Sequence, residues 1–300
     1  MPPYSAQDSD FQARISQLFV YPVKSCAAVE VGEARLTETG LEWDRTWMVV
    51  DEKYEFVTQR QWPRMCLIQP TVKHSEILLR APGMLTLHIE LFKVEMPCRA
   101  SLWGQDCAAY DMGEVAAQWM TDFLMQERPA HQRAQKLRLL RADPAQPRKS
   151  STTWTKGVEA LNQFSDGYPI LVTSQAALHG VNQRLMGQGH AAVTMQRFRP
   201  NLVLDGLEAH DEDRTERLHI ATSEGRVELA LVKPCPRCPI PNVNPLTGVP
   251  SPEVGDILQT YRQDARLDGA VSFGMNAIIH SGFEQILRVG QPVHGNWAFA

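Results

Sequence analysis

The sequence predicts a β-rich α+β fold built in two parts. Short apolar runs separated by turn residues, such as 15–23, 29–37 and 46–50, indicate many short strands. A single strongly periodic helix follows them at 113–126, and a proline-containing basic stretch then separates the two halves. Many short strands with frequent turn signals favour a barrel or sandwich over alternating strand–helix units. We therefore expect a β-barrel core, a preceding barrel-like domain and a few packing helices.

In the first part, alternation and apolar runs predict strands at 15–23, 29–37, 46–50, 54–58, 84–92 and 100–103. The polar Asp51-Glu52-Lys53 between two of these runs predicts a hairpin. In the helix, apolar residues recur at i, i+1, i+4, i+5, i+8 and i+9, which places them on one face. We expect that face to pack against the strands.

The best linker candidate is the stretch around 136–153. Prolines and six Arg or Lys residues accumulate between 129 and 153. A charge run of this kind indicates a solvated surface, with an acidic partner as the alternative. The predicted domains are therefore 12–135 and 154–296, joined by a linker at 136–153.

The second part mixes strands with two helices. Strands are predicted at 170–173, 201–205, 226–232, 277–280 and 285–289. Ser174 is a good N-cap for a helix that reaches about Met186. A second helix start is Ser251-Pro252-Glu253, with a cap residue, a proline and an acid in order.

The composition of the chain argues against several classes of protein. The chain has 300 residues, 43% hydrophobic and 21% charged, with a net charge of −4, which argues against steering towards nucleic acid. The polar N-terminus lacks the apolar core of a signal peptide, and no apolar run of membrane-spanning length occurs. Six irregularly spaced cysteines do not form a disulfide framework. We expect a cytoplasmic protein without a membrane or nucleic-acid partner.

The most informative segment is the loop that begins Lys233-Pro234-Cys235-Pro236-Arg237-Cys238 and continues through three more prolines by 245. Prolines remove backbone donors and bias their predecessors away from helix, so both cysteines are expected on a stiff loop. A structural zinc site needs further Cys or His ligands at suitable spacing, which the sequence lacks. Two interpretations of the segment remain. Its cysteines are small buried residues on a turn, or one thiolate faces a cofactor or substrate.

Four cations lie beside predicted strands, where an unpaired charge is costly. They are Lys24, Arg45, Arg199 and Arg237, and the sequence places Ser25 and Asn201 nearby. Arginine forks bind phosphate through paired hydrogen bonds, so the four cations together predict a phosphate-bearing anionic ligand. Ser25 and Asn201 are candidates for hydrogen bonds to the edge of a heterocycle. Asp166, in a turn before an apolar strand, is either an Asx-turn residue or a carboxylate aimed at the ligand.

In order along the chain, these segments resemble the MOSC-domain molybdenum-cofactor proteins, in the branch of the mitochondrial amidoxime reducing component and the bacterial YcbX-type proteins. The first part carries Tyr-Pro-Val-Lys-Ser-Cys at 21–26, Asp44-Arg45, Val-Thr-Gln-Arg-Gln at 57–61 and Trp103-Gly104. The second carries Phe164-Ser165-Asp166, Phe198-Arg199-Pro200-Asn201, Arg237-Cys238, Asn244-Pro245-Leu246-Thr247-Gly248 and the closing segment 289–293. The resemblance covers nearly the whole chain.

The resemblance implies that Cys238 is the thiolate ligand of molybdenum in a molybdenum cofactor (Mo-molybdopterin). Its pterin and phosphate would be held by Lys24, Ser25, Arg45, Arg199, Asn201 and Arg237. Asp166 matches an acidic residue near the metal. Gly167 and Tyr168, which follow it, are further candidate cofactor-binding residues, although they stand where the family carries small hydroxylated residues. Pro236 stands where the mitochondrial proteins have Ser.

The resemblance also implies an activity, the reduction of N-hydroxylated compounds such as amidoximes, hydroxylamines and N-hydroxylated bases. Oxygen would be abstracted at molybdenum in a two-electron step, with Asp166 assisting proton delivery. No ferredoxin-type cysteine spacing occurs, so we expect electrons from a separate flavin- or iron–sulfur-bearing reductase.

Two rival functions remain. One is a non-redox carrier of the molybdenum cofactor or of sulfur, using Cys238; no pyridoxal-phosphate domain precedes the MOSC-like part. The other is a binding module stabilised by zinc at Cys235 and Cys238.

Overall fold

The computed structural model describes residues 9–93, 96–126 and 135–298. Three α-helices occur in this part of the chain: α1 Gly113–Met125, α2 Gln175–Gly187 and α3 Glu253–Gln259. The strands in chain order are β1 Phe11–Val20, β2 Val29–Val31, β3 Glu33–Thr37, β4 Gly40–Leu41, β5 Trp47–Val50, β6 Gln69–Val72, β7 Glu76–Arg80, β8 Leu87–Glu90, β9 Met96–Leu102, β10 Gln105–Asp111, β11 Arg138–Ala142, β12 Arg148–Lys149, β13 Leu161–Asn162, β14 Ile170–Ser174, β15 Leu202–Asp205, β16 Thr215–Thr222, β17 Gly225–Pro236, β18 Gln263–Asp264, β19 Ala270–Ser281, β20 Ile286–Arg288 and β21 Pro292–Trp297.

The second half of the chain is built around a closed barrel. Its strands follow the order β14-β15-β1-β21-β16-β17-β19, and β19 pairs with β14 to close the ring. Only β14 and β15 are parallel; the other neighbours run antiparallel. Fully buried side chains such as Ile15, Val172, Leu218 and Leu229 fill one continuous apolar cluster. The predicted β-rich α+β class with a barrel core is confirmed.

Strand β1 connects the two halves of the chain. It precedes the predicted linker by more than a hundred residues in sequence, yet it pairs with β15 and β21 inside the barrel. The barrel therefore takes strands from both predicted domains. Because β1 ends at Val20, the turn that follows it, with Lys24 and Ser25, begins directly at the barrel edge.

A second sheet has the order β5-β11-β10-β9, and its strand β5 is buried on both faces. Along β5, Trp47 and Val49 pack into one apolar cluster together with α1, whereas Met48 and Val50 pack into another. A strand that is covered on both faces needs apolar side chains on both, so its sequence does not alternate between apolar and polar residues. This explains the apolar run at 46–50. Strands β6, β7 and β8 form a separate three-stranded sheet against the α1 side.

The linker prediction is wrong for residues 138–142, which form β11. This strand lies between β5 and β10, and four of its five residues are buried. The basic residues suggested a solvated segment, but Arg138 pairs with Asp111 of β10 and with Glu114 of α1. Paired guanidinium groups are compatible with a partly buried strand, and this pairing cannot be read from charge alone.

Two local predictions also need correction. The predicted hairpin at 51–53 is a turn, and residues 54–58 form only single bridges, Val50 with Phe56 and Glu55 with Ser101. Helix α3 begins one residue later than predicted, with Pro252 at the cap position and no side-chain cap from Ser251. Helix α2, by contrast, is capped as predicted, because the Ser174 hydroxyl accepts the Ala177 N–H. No helix of the described residues is long and apolar enough to cross a membrane.

Closure of the barrel depends on Gly274 in β19. Its φ is +78°, and an added Cβ would lie 2.6 Å from Thr173 Cγ2 and 2.7 Å from the Val172 carbonyl oxygen of β14. We expect Gly274→Ala to lower the free energy of unfolding by about 3 kcal/mol, because neither backbone can move freely there. Gly269→Ala is the matched control: its φ is +81°, but nothing lies within 4 Å of its Cβ position. Equal losses for both variants in urea unfolding would contradict a steric closure.

The cap of α2 contains a buried acid, Glu212. The Ser174 hydroxyl donates to Glu212 Oε2 at 2.8 Å, and burial, then the nearby Asp213 charge, raise the pKa of Glu212 from 4.5 to about 7. Because the folded-state pKa is the higher one, the folded protein binds the extra proton between these two values, and the unfolding free energy falls as pH rises through that window.

We therefore expect Glu212→Gln to stabilise the protein at pH 8 by about 3 kcal/mol and to leave it nearly unchanged at pH 4.5. Thermal unfolding of both proteins at the two pH values measures this. The same stability difference at both pH values would show that the charge on Glu212 has no part in it.

Candidate functional site

All ten residues predicted for the site line one cavity of about 420 Å³ at the barrel edge. They come from distant parts of the chain: the turn after β1, the segment just before β5, the loop before β14, the segment before β15 and the loop after β17. The ten are Lys24, Ser25, Arg45, Asp166, Gly167, Tyr168, Arg199, Asn201, Arg237 and Cys238. The structure therefore brings together every site residue that the sequence singled out.

The cavity also contains residues to which the sequence analysis gave no role. The β9–β10 hairpin contributes Trp103, the segment after β5 contributes Arg60, and β17 contributes Lys233. Trp103 and Lys233 each lie at the edge of a motif quoted above. That position was the sequence feature that could have indicated their place in the site. Arg60 carried a weaker signal, as one cation within the 57–61 motif.

The backbone at the cavity is strained. Ser25, Arg45, Trp103 and Arg199 all have left-handed φ values, of 68°, 49°, 55° and 57°. A residue with a side chain pays about 1–2 kcal/mol for this conformation, so it persists where the surrounding structure fixes it. Four such residues around one cavity are consistent with a functional site.

Arg45 is held in place by a buried carboxylate. Its Nη1 donates to both oxygens of Asp44 at 2.6 Å, and its Nη2 donates to the Arg199 carbonyl at 3.0 Å. Asp44 is 3% exposed and also accepts the Tyr21 N–H at 2.9 Å. The fork of Arg45 is thus pre-oriented before any ligand binds.

Arg199 lies beside Arg45 over a shared aromatic ring. The two guanidinium carbons are 4.3 Å and 4.2 Å from the centre of the Tyr21 ring. Arg199 Nη1 donates to the Cys26 carbonyl at 2.7 Å. Burial, then the Arg45 charge, lower the pKa of Arg199. Within the described part of the chain only Arg45 of these two adjacent cations has a carboxylate partner, which favours the binding of an anion between them.

Arg237 retains an unused donor. Its Nη2 donates to the Phe198 carbonyl at 2.7 Å and its Nη1 to Cys235 Sγ at 3.1 Å. Its Nε is buried and has no hydrogen-bond partner among the described residues. Buried donors are nearly always satisfied, so an acceptor from a bound group fits this position.

The hydrogen bonds of Asn201 differ from those predicted for it. Its Oδ1 accepts the Leu171 N–H at 3.1 Å, and its Nδ2 donates to the Phe19 carbonyl at 3.2 Å. The amide therefore ties β14 to β1 at the cavity floor, instead of presenting its full donor–acceptor edge to a heterocycle. This tie was not predictable, because it requires knowing that the two strands are near each other.

Lys24, Asp166 and Trp103 form a polar group at one wall. Lys24 is 6% exposed, donates to the Phe164 carbonyl at 2.8 Å and pairs with Asp166 Oδ1. Asp166 also accepts the Trp103 indole N–H at 3.2 Å. Burial lowers the pKa of Lys24, although the Asp166 charge opposes this. The charge and hydrogen bond of Lys24, and then the hydrogen bond of Trp103, hold the pKa of Asp166 below its usual range.

The two loop cysteines have different surroundings. Cys238 is exposed in the cavity mouth, whereas Cys235 lies at the end of β17 and receives the Arg237 hydrogen bond. Elsewhere, burial raises the pKa of the Cys66 thiol to about 11, which makes that thiol a poor nucleophile or ligand. Within the described ranges no three His, Cys, Asp or Glu side chains group as a metal site, so the zinc alternative gains no ligand set.

These features define a class: a barrel protein whose strained, cation-rich cavity presents one exposed thiol. Residues 12–127 match the family model for the MOSC N-terminal beta barrel domain, and residues 160–294 match that for the MOSC domain. The chain therefore belongs to the MOSC-domain family.

Curated proteins are similar to this chain along nearly its full length. The mitochondrial amidoxime-reducing component 1 of Xenopus laevis is 35% identical over 96% of this chain and 84% of its own length. The mitochondrial amidoxime reducing component 2 of Rattus norvegicus is 33% identical over 93% of this chain and 82% of its own. Component 1 of Homo sapiens is 33% identical, with the same two coverages, 93% and 82%.

Proposed function

We propose that this chain binds a molybdenum cofactor in the cavity and reduces N-hydroxylated compounds such as amidoximes. The observation that carries the proposal is the meeting of the exposed Cys238 thiol with Arg45, Arg199 and Arg237 in one cavity. The names of the relatives, which are amidoxime reducing components, support the substrate class.

The residues present fit the group. The cofactor is anionic through its phosphate and dithiolene, and the cavity holds cations that are already oriented by Asp44 and by backbone carbonyls. The buried Nε of Arg237 offers an unused donor. A thiolate such as that of Cys238 is a soft ligand suited to a metal that also carries sulfur ligands. Cys238 would hold the metal, and Arg45, Arg199 and Arg237 would hold the anionic tail.

When bound, the cofactor supplies the two-electron redox chemistry, while the protein orients it and manages protons. Conversion of an N–OH group to N–H consumes two electrons and two protons and releases water. Lys24 Nζ holds a proton beside Asp166 Oδ1 at the cavity wall. Since burial lowers the pKa of Lys24, this proton is given up more readily than that of an ordinary lysine. The pair is therefore suited to deliver a proton to the departing oxygen.

We further propose that electrons come from a separate reductase bearing a flavin or an iron–sulfur cluster. Cys238 is exposed at the cavity mouth, so a donor surface can approach the metal position closely. The same exposure favours the second candidate function, a carrier that passes on the cofactor or a sulfur atom from Cys238.

One assay separates the two candidates. Protein loaded with molybdenum is given benzamidoxime and a chemical reductant, so that no protein donor is needed. The reductase proposal expects benzamidine to form with turnover. A loaded protein that forms no benzamidine but transfers its cofactor or sulfur to an apo-enzyme would select the carrier.

A further inference from the structure

A side cavity of about 290 Å³ adjoins the main cavity. The two share Trp103, Asp166, Gly167, Tyr168 and Lys233, so a ligand can extend from one into the other. The rest of its lining comes from Gln105 and from the 148–154 segment, which begins with the strand β12. None of these residues entered the proposed handling of the cofactor.

The side cavity carries excess positive charge. Among the described residues, the acceptors of Arg148 are all neutral: Gln105 Oε1, Asn162 Oδ1 and the carbonyls of Gln163 and Ser165. The ion pairs found at this wall, in the part of the chain described, are Lys149–Glu159 and Lys24–Asp166. Arg148 and Lys233 take part in neither. Their charges are therefore available to an anionic group of a ligand.

Aromatic rings line the same space. Trp103 is fixed by its hairpin, by the Phe56 ring at 4.8 Å and by the Arg60 guanidinium at 4.7 Å. Lys233 Nζ lies 5.6 Å from the centre of the Trp154 ring. Tyr168 donates its hydroxyl to the Ser151 carbonyl at 3.2 Å and so holds the 148–154 segment in place. Rigid aromatic walls beside a cation suit a flat ring that bears a negative charge.

We infer that the side cavity binds the part of the substrate remote from the N–OH group and selects aromatic N-hydroxylated compounds that bear a carboxylate or phosphate. The inference rests on the proposed reductase function and adds the chemical class of its preferred substrate. Trp103 and Trp154 contact the ring, and Lys233 contacts the anion.

The test compares benzamidoxime with 4-carboxybenzamidoxime in the molybdenum-loaded protein with a chemical reductant. We expect wild type to have the higher kcat/KM for the carboxylate compound. Lys233→Met should lower the ratio of the two kcat/KM values about fivefold, since one partly exposed charge contact contributes roughly this much to binding. Lys53→Met, which removes an exposed lysine from the 51–53 turn, is the matched charge control and should leave the ratio unchanged.

Binding is measured separately from turnover. Titration calorimetry of the oxidised, loaded protein without reductant should show a dissociation constant for 4-carboxybenzamidoxime about fivefold higher in Lys233→Met than in wild type. An unchanged ratio and an unchanged dissociation constant in Lys233→Met would overturn the inference, even with benzamidoxime turnover intact. Absence of turnover for both compounds in wild type would instead overturn the proposed function, and the calorimetric comparison would still decide whether the side cavity selects the anion.

Discussion

Cys238→Ser is expected to lose molybdenum, with at least about a tenfold fall in metal content, because an alcohol cannot replace a soft thiolate ligand. The side chain is exposed at the cavity mouth, so its replacement leaves the packed core intact. Elemental analysis of purified protein from a host that makes the cofactor measures the effect, and circular dichroism checks the fold.

Cys235→Ser is the matched control. Cys235 lies three residues away, at the end of β17, and its sulfur accepts the Arg237 hydrogen bond, a role that a hydroxyl can take over. We expect this variant to keep its molybdenum. Equal loss in both variants would mean that the loop conformation, and not the Cys238 sulfur, retains the metal.

Asp166→Asn is expected to lower kcat for benzamidoxime by about 10²-fold, the usual contribution of a positioned acid–base group, while molybdenum content is unchanged. The Asp166 side chain is 68% exposed, but its replacement leaves the buried Lys24 without a carboxylate partner, so circular dichroism is needed to check that the variant folds. It removes the carboxylate that pairs with Lys24, so the proton held between the two is lost from the cavity wall.

Two controls accompany this variant. Asp106→Asn removes an exposed carboxylate that pairs with Arg99 on the β9–β10 hairpin, and it should leave kcat unchanged. Asp166→Glu restores a carboxylate and should recover part of the lost rate. If Asp166→Asn instead lowered molybdenum content in proportion to activity, Asp166 would serve to bind the cofactor and not to handle protons.

The sequence predicted the site better than it predicted the sheets. Lys24, Arg45, Arg199 and Arg237 were recognisable because a charge beside an apolar strand must have a partner or a function. The segments around them also preserve a family pattern, and the structure places all of them around one cavity. Charged site residues of this kind can therefore be recognised from the sequence without knowledge of the fold.

What the sequence could not predict depends on distant pairing. The pairing of β1 with β15 and β21, and that of β14 with β19, join segments that no periodicity connects. Strand β11 looked like a linker because it is basic, and the sequence did not show that Arg138 pairs with carboxylates on β10 and α1. Tyr21, which supports two guanidinium groups, and Asn201, which ties two strands, acquire these roles only when the barrel closes.

The most direct test of the molybdenum proposal is the molybdenum and pterin content of the wild-type protein, purified from a cofactor-producing host and from one that lacks the cofactor. The single exposed thiol of the cavity predicts about one molybdenum per chain, with matching pterin, in the first preparation and none in the second. Folded protein that contains neither metal nor pterin, from a host that loads its other molybdenum enzymes, would contradict the proposal.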